Sequence, residues 1–153
     1  MTDSYRDGYK EGVIFLFHDD GSILIEHRPD GDGTETFIPN GTIEERDTAS
    51  DRHEDYVLAA LHREIDEEFA GRVRATDIEK MCEYRVEEPA IWFHSYAVTD
   101  WNGTVPDHTV EDGERYAELE WVPLREHAEH LEYGSAIETC ATLQEQLDDA
   151  SSR

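Results

Sequence analysis

The sequence predicts a single α/β (α+β) domain, and three observations lead to that prediction. The chain has 153 residues, which is close to the usual size of one domain. Short apolar runs with the length of buried strands lie on both sides of one strongly amphipathic helix. Two further helical stretches follow near the end of the chain. We therefore expect one domain over residues 1–153, in which strands and helices share a core.

The first third of the chain is predicted to form strands joined by turns. Residues 12–17 and 22–27 are apolar runs separated by the turn sequence His-Asp-Asp-Gly, which is typical of a β-hairpin. A third strand at 36–38 ends at the sequence Pro-Asn-Gly. The charged stretch 44–54 has no apolar anchors, and we expect it to be a loop.

The clearest helix is predicted over residues 54–70. Its apolar stripe consists of side chains four positions apart, namely Val57, Leu61, Ile65 and Phe69. Gly71 supplies a C-terminal stop.

The second half of the chain adds strands and then helices. Three strands are predicted at 81–86, 91–98 and 116–122, and two helices at 124–133 and 136–149. The polar segment 100–112 is expected to be a loop.

The charge of the chain limits its partners. Asp and Glu number 38 against 13 Lys and Arg, so the net charge is −25. Such a chain lacks the basic surface that a nucleic acid duplex or an anionic membrane requires. Apolar runs do not exceed five residues, so no membrane span is expected. Two cysteines without CxxC spacing, and no visible secretion signal, favour a cytoplasmic location.

The kind of acidity also carries information. Lys10 and Lys80 are the only lysines in the chain. An acid-coated surface stays soluble at high salt, where screening weakens its self-repulsion. We therefore interpret the protein as halophilic; an acidic protein from an ordinary cytoplasm is the alternative.

One short acidic motif indicates chemistry. In Arg63-Glu64-Ile65-Asp66-Glu67-Glu68, the three glutamates stand at positions i, i+3 and i+4, so a helix brings them to one face. Each like-charged pair at this spacing costs a helix about 0.2–0.5 kcal/mol, and a hard divalent cation would reverse that cost. The alternative is a solvated acidic face, because glutamate is common throughout the chain.

The residues around this motif resemble the Nudix (MutT-like) hydrolase superfamily over about residues 10–147. The family signature runs Gly, five residues, Glu, seven residues, Arg-Glu-aliphatic-x-Glu-Glu-x-Gly-aliphatic. Residues 37–44 are similar to the family's strand and Pro-Gly-Gly turn, and residues 119–124 to its last strand. The positions that match the core of the signature are Arg63, Glu64, Ile65, Glu67 and Glu68.

The chain departs from the signature in three ways. Thirteen residues separate Gly41 from Asp55, the acid taken as the first of the signature, where the family has five. The resemblance thus places an eight-residue insertion in the 44–54 loop. Asn40 replaces the first glycine of the turn, and Ala70 occupies the position of the signature's second glycine.

The resemblance implies an α/β/α sandwich with a mixed sheet and a catalytic helix at about 54–70. It also implies a pyrophosphohydrolase that uses Mg²⁺ or Mn²⁺ to cleave a nucleoside diphosphate linked to another moiety. The expected partner is a nucleotide-type small molecule, and either a monomer or a homodimer is compatible with the sequence. A Nudix-fold module that binds a nucleotide without hydrolysis is the alternative.

The resemblance also assigns roles to residues. Glu64, Glu67, Glu68 and the backbone carbonyl of Asn40 are the expected metal ligands, and Glu64 would also handle the proton of the attacking water. Arg63 would pair with Asp55 and orient the helix.

Two further assignments are less constrained by the motif. Arg28, at the end of the second strand, is the candidate for a direct phosphate contact. A late acid often completes Nudix sites; Glu114 fits best, with Glu118 and Glu120 as rivals. A base-stacking role for Trp92, Phe93, Tyr96 or Trp101, and a metal-binding role for His127 and His130, are both less favoured than core packing or a solvated helix face.

Overall fold

Nine strands and three α-helices make up the described residues of the computed structural model, which are 3–30, 33–49 and 53–151. The strands are β1 (Tyr5–Arg6), β2 (Tyr9–Asp19), β3 (Ser22–Asp30), β4 (Gly33–Phe37), β5 (Asn40–Thr42), β6 (Val73–Glu87), β7 (Ala90–Gly103), β8 (His108–Glu111) and β9 (Glu114–Pro123). The helices are α1 (His53–Glu68), α2 (His127–His130) and α3 (Gly134–Ser151), with 3₁₀ turns at Glu45–Ala49 and Leu124–Glu126.

The strands form one mixed sheet. Its main order is β6-β7-β2-β3-β9-β8, with β1 and β5 pairing with β2, and β4 pairing with β3. β2 and β7 run parallel from the pair Lys10 and Ile91 to the pair Phe17 and Val98, and the other described strand pairs are antiparallel. The predicted mixed α/β (α+β) class is confirmed.

The sheet splits where β2 and β3 part. These strands pair only near their shared hairpin, at His18 with Ile23 and Asp19 with Ser22. Further along, β2 pairs with β5 and β3 pairs with β4, while β9 pairs with β3 from Ser22 to His27. The far end of β3 therefore stands apart from β5, which leaves room for a cleft between them.

Apolar side chains cover both faces of the sheet, which explains why the β2 run is almost continuously apolar. On one face, Val13, Phe15 and Phe17 pack against the α1 stripe of Val57, Leu61, Ile65 and Phe69. On the other face, Ile14 and Leu16 pack against Ala136, Cys140 and Leu143 of α3. This is the α/β/α sandwich that the sequence predicted.

The helix predicted over residues 54–70 is confirmed within two residues at each end. α1 ends at Glu68 because Ala70 and Gly71 both take left-handed backbone conformations, with φ of +53° and +72°. The Gly71 amide donates to the carbonyl of Asp66 at 2.8 Å and closes the helix end.

Four sequence predictions on other elements need correction. The strand predicted at 81–86 spans Val73–Glu87, because it pairs with β7 along its length despite register shifts that disturb its alternation. The expected loops are partly structured: 100–112 holds the end of β7 and all of β8, and 44–54 holds a 3₁₀ turn, residues 50–52 lying outside the described part. The helix predicted over 124–133 breaks at Leu131, whose backbone is extended.

The structure also bears on the expectations about membrane spans and about the two cysteines. Among the described residues no helix is both long and apolar enough to cross a membrane. Cys82 and Cys140 are free thiols, as their spacing predicted.

Candidate active site

A cleft of about 1060 Å³ opens where the sheet splits, between α1, β3, β5 and the β8–β9 hairpin. Five of the residues assigned from the sequence line it, namely Arg28, Asn40, Glu64, Glu67 and Glu68. The fold thus brings together a helix motif, a strand end and a turn that are up to 40 positions apart in the sequence.

Arg63 connects α1 to β5 and to the 3₁₀ turn that follows β5. Its Nε and Nη2 donate to the two carboxylate oxygens of Asp47 at 2.9 and 2.8 Å, and Nη2 also donates to the carbonyl of Thr42 at 2.9 Å. Its Nη1 donates to Glu64 at 2.9 Å and to Glu67 at 3.1 Å. Burial opposes the negative charge of Asp47, but hydrogen bonds from Arg63 hold the pKa of that carboxyl below its usual value.

The acid that pairs with Arg63 is therefore Asp47, and the sequence-based assignment of Asp55 is wrong. Asp55 lies eight residues before Arg63 on the same helix, a distance of about 12 Å along the axis, which an arginine side chain does not bridge easily. Five residues separate Gly41 from Asp47, as the family signature requires. The eight additional residues thus lie between the first acid and Arg63, and counting forward from Gly41 would have found Asp47.

Glu64 lies against the turn before the helix. A Cβ on Gly41 of β5 would overlap the Glu64 carboxyl, so any larger residue at this position would displace the Glu64 side chain. Burial raises the pKa of Glu64 to about 7, and the nearby charges of Glu67 and Glu44 add to the effect of burial. A carboxyl that titrates near neutral pH suits proton transfer.

One carboxylate of the cleft lining and one buried carboxylate outside the described lining each have a buried oxygen without a hydrogen-bond partner among the described residues. They are Oε2 of Glu68 on α1 and Oε2 of Glu26 on β3. Burial raises the pKa of Glu68 well above its usual value, and the negative charges of Glu26 and Glu64 raise it further. Sequence reasoning missed Glu26, although strand alternation places it on the same face as Arg28.

Arg28 stands at the cleft with one quarter of its side chain exposed. Its Nε and Nη2 both contact Oε1 of Glu26 at 2.6 Å, and its guanidinium lies 5.6 Å from the ring centre of Phe37. These contacts fix the guanidinium at the cleft wall, opposite the glutamates of α1.

Asn40 lies in β5, where it pairs with Ile14 of β2. Its side-chain amide donates to the carbonyl of Ile38 at 2.8 Å. Asn40 is not among the described residues with positive φ, so asparagine at the family's first glycine position causes no backbone strain here.

Glu114 is exposed at the start of β9, and the described cleft lining does not include it. Its cross-strand partner Glu111 does line the cleft. Burial raises the pKa of Glu26 and of Glu68, and the charge of Glu111 adds to that effect. Asp112 and Gly113, both with positive φ, form the turn between them. The Asp-Gly pair was a sequence signal for this hairpin and so for Glu111. The rivals Glu118 and Glu120 are also outside the lining; Glu120 bonds to His27 at 2.9 Å.

Most of the aromatic candidates pack in the core or against other side chains. Trp92 is 7% exposed and lies between the guanidinium groups of Arg6 and Arg85, and Tyr96 is buried in the core. Phe93 packs against Phe37. Trp101 stacks on Trp121 with ring centres 6.1 Å apart. Tyr116 is the aromatic side chain that the described residues place in the cleft lining.

The donor set of the cleft fits a hard divalent cation. Carboxylate oxygens are the ligands that Mg²⁺ and Mn²⁺ prefer, and the unpartnered oxygens of Glu26 and Glu68 are such donors. In the structure as it stands, no three His, Cys, Asp or Glu side chains of the described residues are grouped tightly enough to chelate one ion. Arg63 and Arg46 instead hold Glu67, at 3.1 and 2.9 Å.

Several solved structures have folds similar to that of this chain. An ADP compounds hydrolase is 14% identical, with a TM-score of 0.70 over 92% of this chain and 74% of that one. A MutT NUDIX hydrolase from Burkholderia pseudomallei is 18% identical, with a TM-score of 0.65 over 86% of this chain and 95% of that one. The NUDIX domain of Shewanella oneidensis NrtR, complexed with ADP ribose, is 16% identical, with a TM-score of 0.63 over 91% and 88%.

At the level of sequence, a search of curated proteins found no significant match. The family model of the NUDIX domain matches residues 10–141, which include the core strands, α1 and all of the described cleft lining except Asp3. The chain belongs to the NUDIX domain family, and its sequence-based assignment as a Nudix hydrolase is confirmed at that level.

Proposed function

We propose that this protein is a divalent-metal-dependent pyrophosphohydrolase that cleaves a nucleoside diphosphate linked to another moiety. The observation that carries the proposal is the pairing of opposite charges across one cleft. Three glutamates of α1 form one wall, and the guanidinium of Arg28 stands at the other. A diphosphate needs positive charge to balance its own negative charge. The guanidinium would supply one positive charge directly, and the glutamates would bind metal cations that supply the rest.

The side chains expected to hold Mg²⁺ or Mn²⁺ are Glu64, Glu67 and Glu68, together with the backbone carbonyl of Asn40. When bound, the cation neutralises phosphate charge and makes water a better nucleophile. Glu64 is suited to accept the proton of that water, because burial brings its pKa to about 7.

Arg63 acts in this proposal as a positioning residue. Its bonds to Asp47 and Thr42 fix the helix against the turn, and its bonds to Glu64 and Glu67 orient two expected ligands. Arg28 would contact a phosphate group of the substrate directly.

The late acid is a choice between two residues of one hairpin. Glu114 follows from the resemblance to the family, and Glu111 follows from its place in the cleft lining. We favour Glu111, because an acid that assists the reaction must reach the bound substrate. Comparing turnover of Glu111→Gln and Glu114→Gln across pH decides between them; normal activity in Glu111→Gln with a loss in Glu114→Gln would restore the original assignment.

The substrate class is proposed from the cleft and from the similar structures. The names of two of those proteins refer to ADP compounds and to ADP ribose, and Tyr116 offers an aromatic surface within the cleft. We propose an ADP-linked small molecule as the first substrate to test.

A panel assay tests the function. ADP-ribose, a sugar nucleotide, a dinucleoside polyphosphate and an oxidised nucleotide are incubated with Mg²⁺ or Mn²⁺ in molar KCl, and the phosphate-containing products are measured. Metal-dependent release of a nucleoside monophosphate supports the proposal. Tight binding of a nucleotide without turnover would support the non-hydrolytic module instead.

A further inference from the structure

Glu26 is a buried acid of β3 that contacts Arg28 of the cleft lining and that the family motif does not include. On β3, Ile23 and Ile25 face the α3 side of the sheet, and Leu24 faces the α1 side. Alternation then turns Glu26 towards α1. Its side chain is 0% exposed, which is rare for a glutamate unless its charge is balanced.

The partners of Glu26 leave one of its oxygens unused. Both Nε and Nη2 of Arg28 contact the same oxygen, Oε1, at 2.6 Å. An arginine fork usually engages both oxygens of a carboxylate. Oε2 of Glu26 has no hydrogen-bond partner among the described residues, although leaving a buried acceptor unsatisfied costs about 1–3 kcal/mol.

The surroundings of Glu26 are those of the expected metal ligands. Glu26 is the neighbouring charge with the largest effect on Glu68, whose own Oε2 also lacks a partner in the described part of the chain. Glu111 acts on both carboxylates from the β8–β9 hairpin. The charges of acids from the helix, the sheet and a hairpin therefore act on one another, and two of these acids have an oxygen without a partner among the described residues.

We propose that Glu26 is a further ligand of the divalent cation, contributed by the sheet beneath α1, and that the same carboxylate positions Arg28. Its Oε2 would face the cation while Oε1 keeps the guanidinium at the cleft wall. One side chain then links metal binding to the placement of the phosphate-binding arginine. The inference rests on the proposed function, because it concerns the same site.

The competing explanation is a proton shared between Glu26 and Glu68. A shared proton would also satisfy two buried oxygens, and it would make Glu26 irrelevant to metal affinity. The two explanations differ in what happens to metal binding when the Glu26 carboxylate becomes an amide.

The test measures Mn²⁺ binding to the metal-free protein by titration calorimetry and by the loss of the free Mn²⁺ spectrum. Glu26→Gln is compared with wild type and with Glu79→Gln, which removes the same charge from an exposed position on β6 outside the cleft. We expect the dissociation constant to rise at least about tenfold for Glu26→Gln and to stay near the wild-type value for Glu79→Gln.

A second measurement separates a ligand from a structural residue. The thermal midpoint of each variant is recorded by circular dichroism without metal and with saturating Mn²⁺. We expect Glu26→Gln to fold without metal with a midpoint near wild type, because the amide can still accept from Arg28, and to gain much less than wild type from Mn²⁺.

Every outcome of these two measurements either supports or contradicts a stated proposal. Equal Mn²⁺ affinity in Glu26→Gln and Glu79→Gln would overturn the inference, and so would failure of Glu26→Gln to fold, since Glu26 would then be a structural residue. Failure of the wild-type protein to bind Mn²⁺ would instead contradict the proposed function itself.

Discussion

Neighbouring carboxylates in the cleft repel one another, and arginines hold two of them in place. Glu64 and Glu67 share Nη1 of Arg63, and Glu67 also contacts Arg46. Repulsion among such carboxylates is unfavourable for the protein alone, and the divalent cation that we propose would relieve it. Removing one of these charges should therefore affect metal-dependent chemistry more than folding.

Glu67→Gln is the direct test of this view. Half of the Glu67 side chain is exposed, so the variant should fold with a change in stability below about 1 kcal/mol. Turnover should fall by a factor on the order of 100 or more, because an expected cation ligand is lost. The measurement is the rate at saturating Mg²⁺, with the exposed helix variant Glu138→Gln as control. A wild-type rate in Glu67→Gln would show that the assignment is wrong.

The pH dependence of the metal-free protein should report on Glu64. Burial raises the pKa of this carboxyl from 4.5 to about 7 in the folded state. The folded protein therefore keeps a proton that the unfolded chain has lost, so the contribution of Glu64 to stability is full below pH 4.5 and is lost as pH rises through 7.

Denaturant unfolding in EDTA from pH 4 to pH 8 checks this expectation. Wild type should lose on the order of 1–3 kcal/mol relative to Glu64→Gln across that range. Parallel pH profiles for the two proteins would contradict it.

The position of α1 depends on the segment before it, and the place where α1 ends depends on the backbone after it. The 3₁₀ turn Glu45–Ala49 presents Asp47 to Arg63, and Asp47 also accepts the amide of Glu44 at 2.9 Å. Only five residues separate Asp47 from the start of α1, so the eight additional residues between Asp47 and Arg63 extend into the first part of the helix, and the salt bridge between these two side chains is kept.

Asp47→Asn tests the salt bridge between Asp47 and Arg63, and Asp55→Asn tests the pair that was assigned from the sequence. The Asp47 and Arg63 side chains are only 5% and 15% exposed, and breaking such a pair should lower stability by about 2–4 kcal/mol. Asp55→Asn, on the exposed side of α1, should stay within about 0.5 kcal/mol of wild type. Chemical denaturation of both variants gives the comparison, and the reverse order of stabilities would restore Asp55 as the partner.

The end of α1 carries a strained alanine. Ala70 has φ of +53°, a conformation that costs a residue with a Cβ about 1–2 kcal/mol. Ala70→Gly should remove that strain and raise stability by about 0.5–1 kcal/mol, part of the gain being offset by the more flexible unfolded chain.

Thermal denaturation of Ala70→Gly measures this gain. Gly71→Ala is the matched variant, because Gly71 has φ of +72° and should lose about 1 kcal/mol when it acquires a Cβ. A destabilised Ala70→Gly would mean that the methyl group makes a contact that outweighs the backbone strain.

The whole molecule carries a net charge of −25, which acts on folding through repulsion spread over the surface. At 0.01 M salt the Debye length is about 30 Å, and at 1 M it is about 3 Å. We propose that the protein is adapted to high salt, and we expect its thermal midpoint to rise steeply between these two conditions.

The midpoint is measured by circular dichroism in increasing KCl, with an equal series in NaCl to separate general screening from a specific effect of K⁺. A midpoint that does not change with salt would remove the halophilic interpretation.

The same negative charge would repel a phosphate compound that approaches the surface. Such a compound would need cations to enter the cleft.

Several features could be predicted because neighbouring residues encode them. The stripe of α1 follows from apolar residues four positions apart, and the convergence of Glu64, Glu67 and Glu68 follows from helix geometry. The predicted strands that lie in the core were also found, because their apolar runs are needed on both faces of a buried sheet. The polar edge strand β8 and the first half of β6 were missed, since they lack such runs.

The sequence by itself determined the helix, the core strands and the acidic motif, because each depends on spacing within a few residues. Only the tertiary structure decided which other carboxylates lie close enough to act on that motif. Glu26 and Glu111 reach Glu68 through the register of β3 and of the β8–β9 hairpin. Asp47 reaches Arg63 through the fold of the turn before α1. These contacts join residues 16 to 43 positions apart, and packing of the whole sheet against α1, which no local pattern records, sets their geometry.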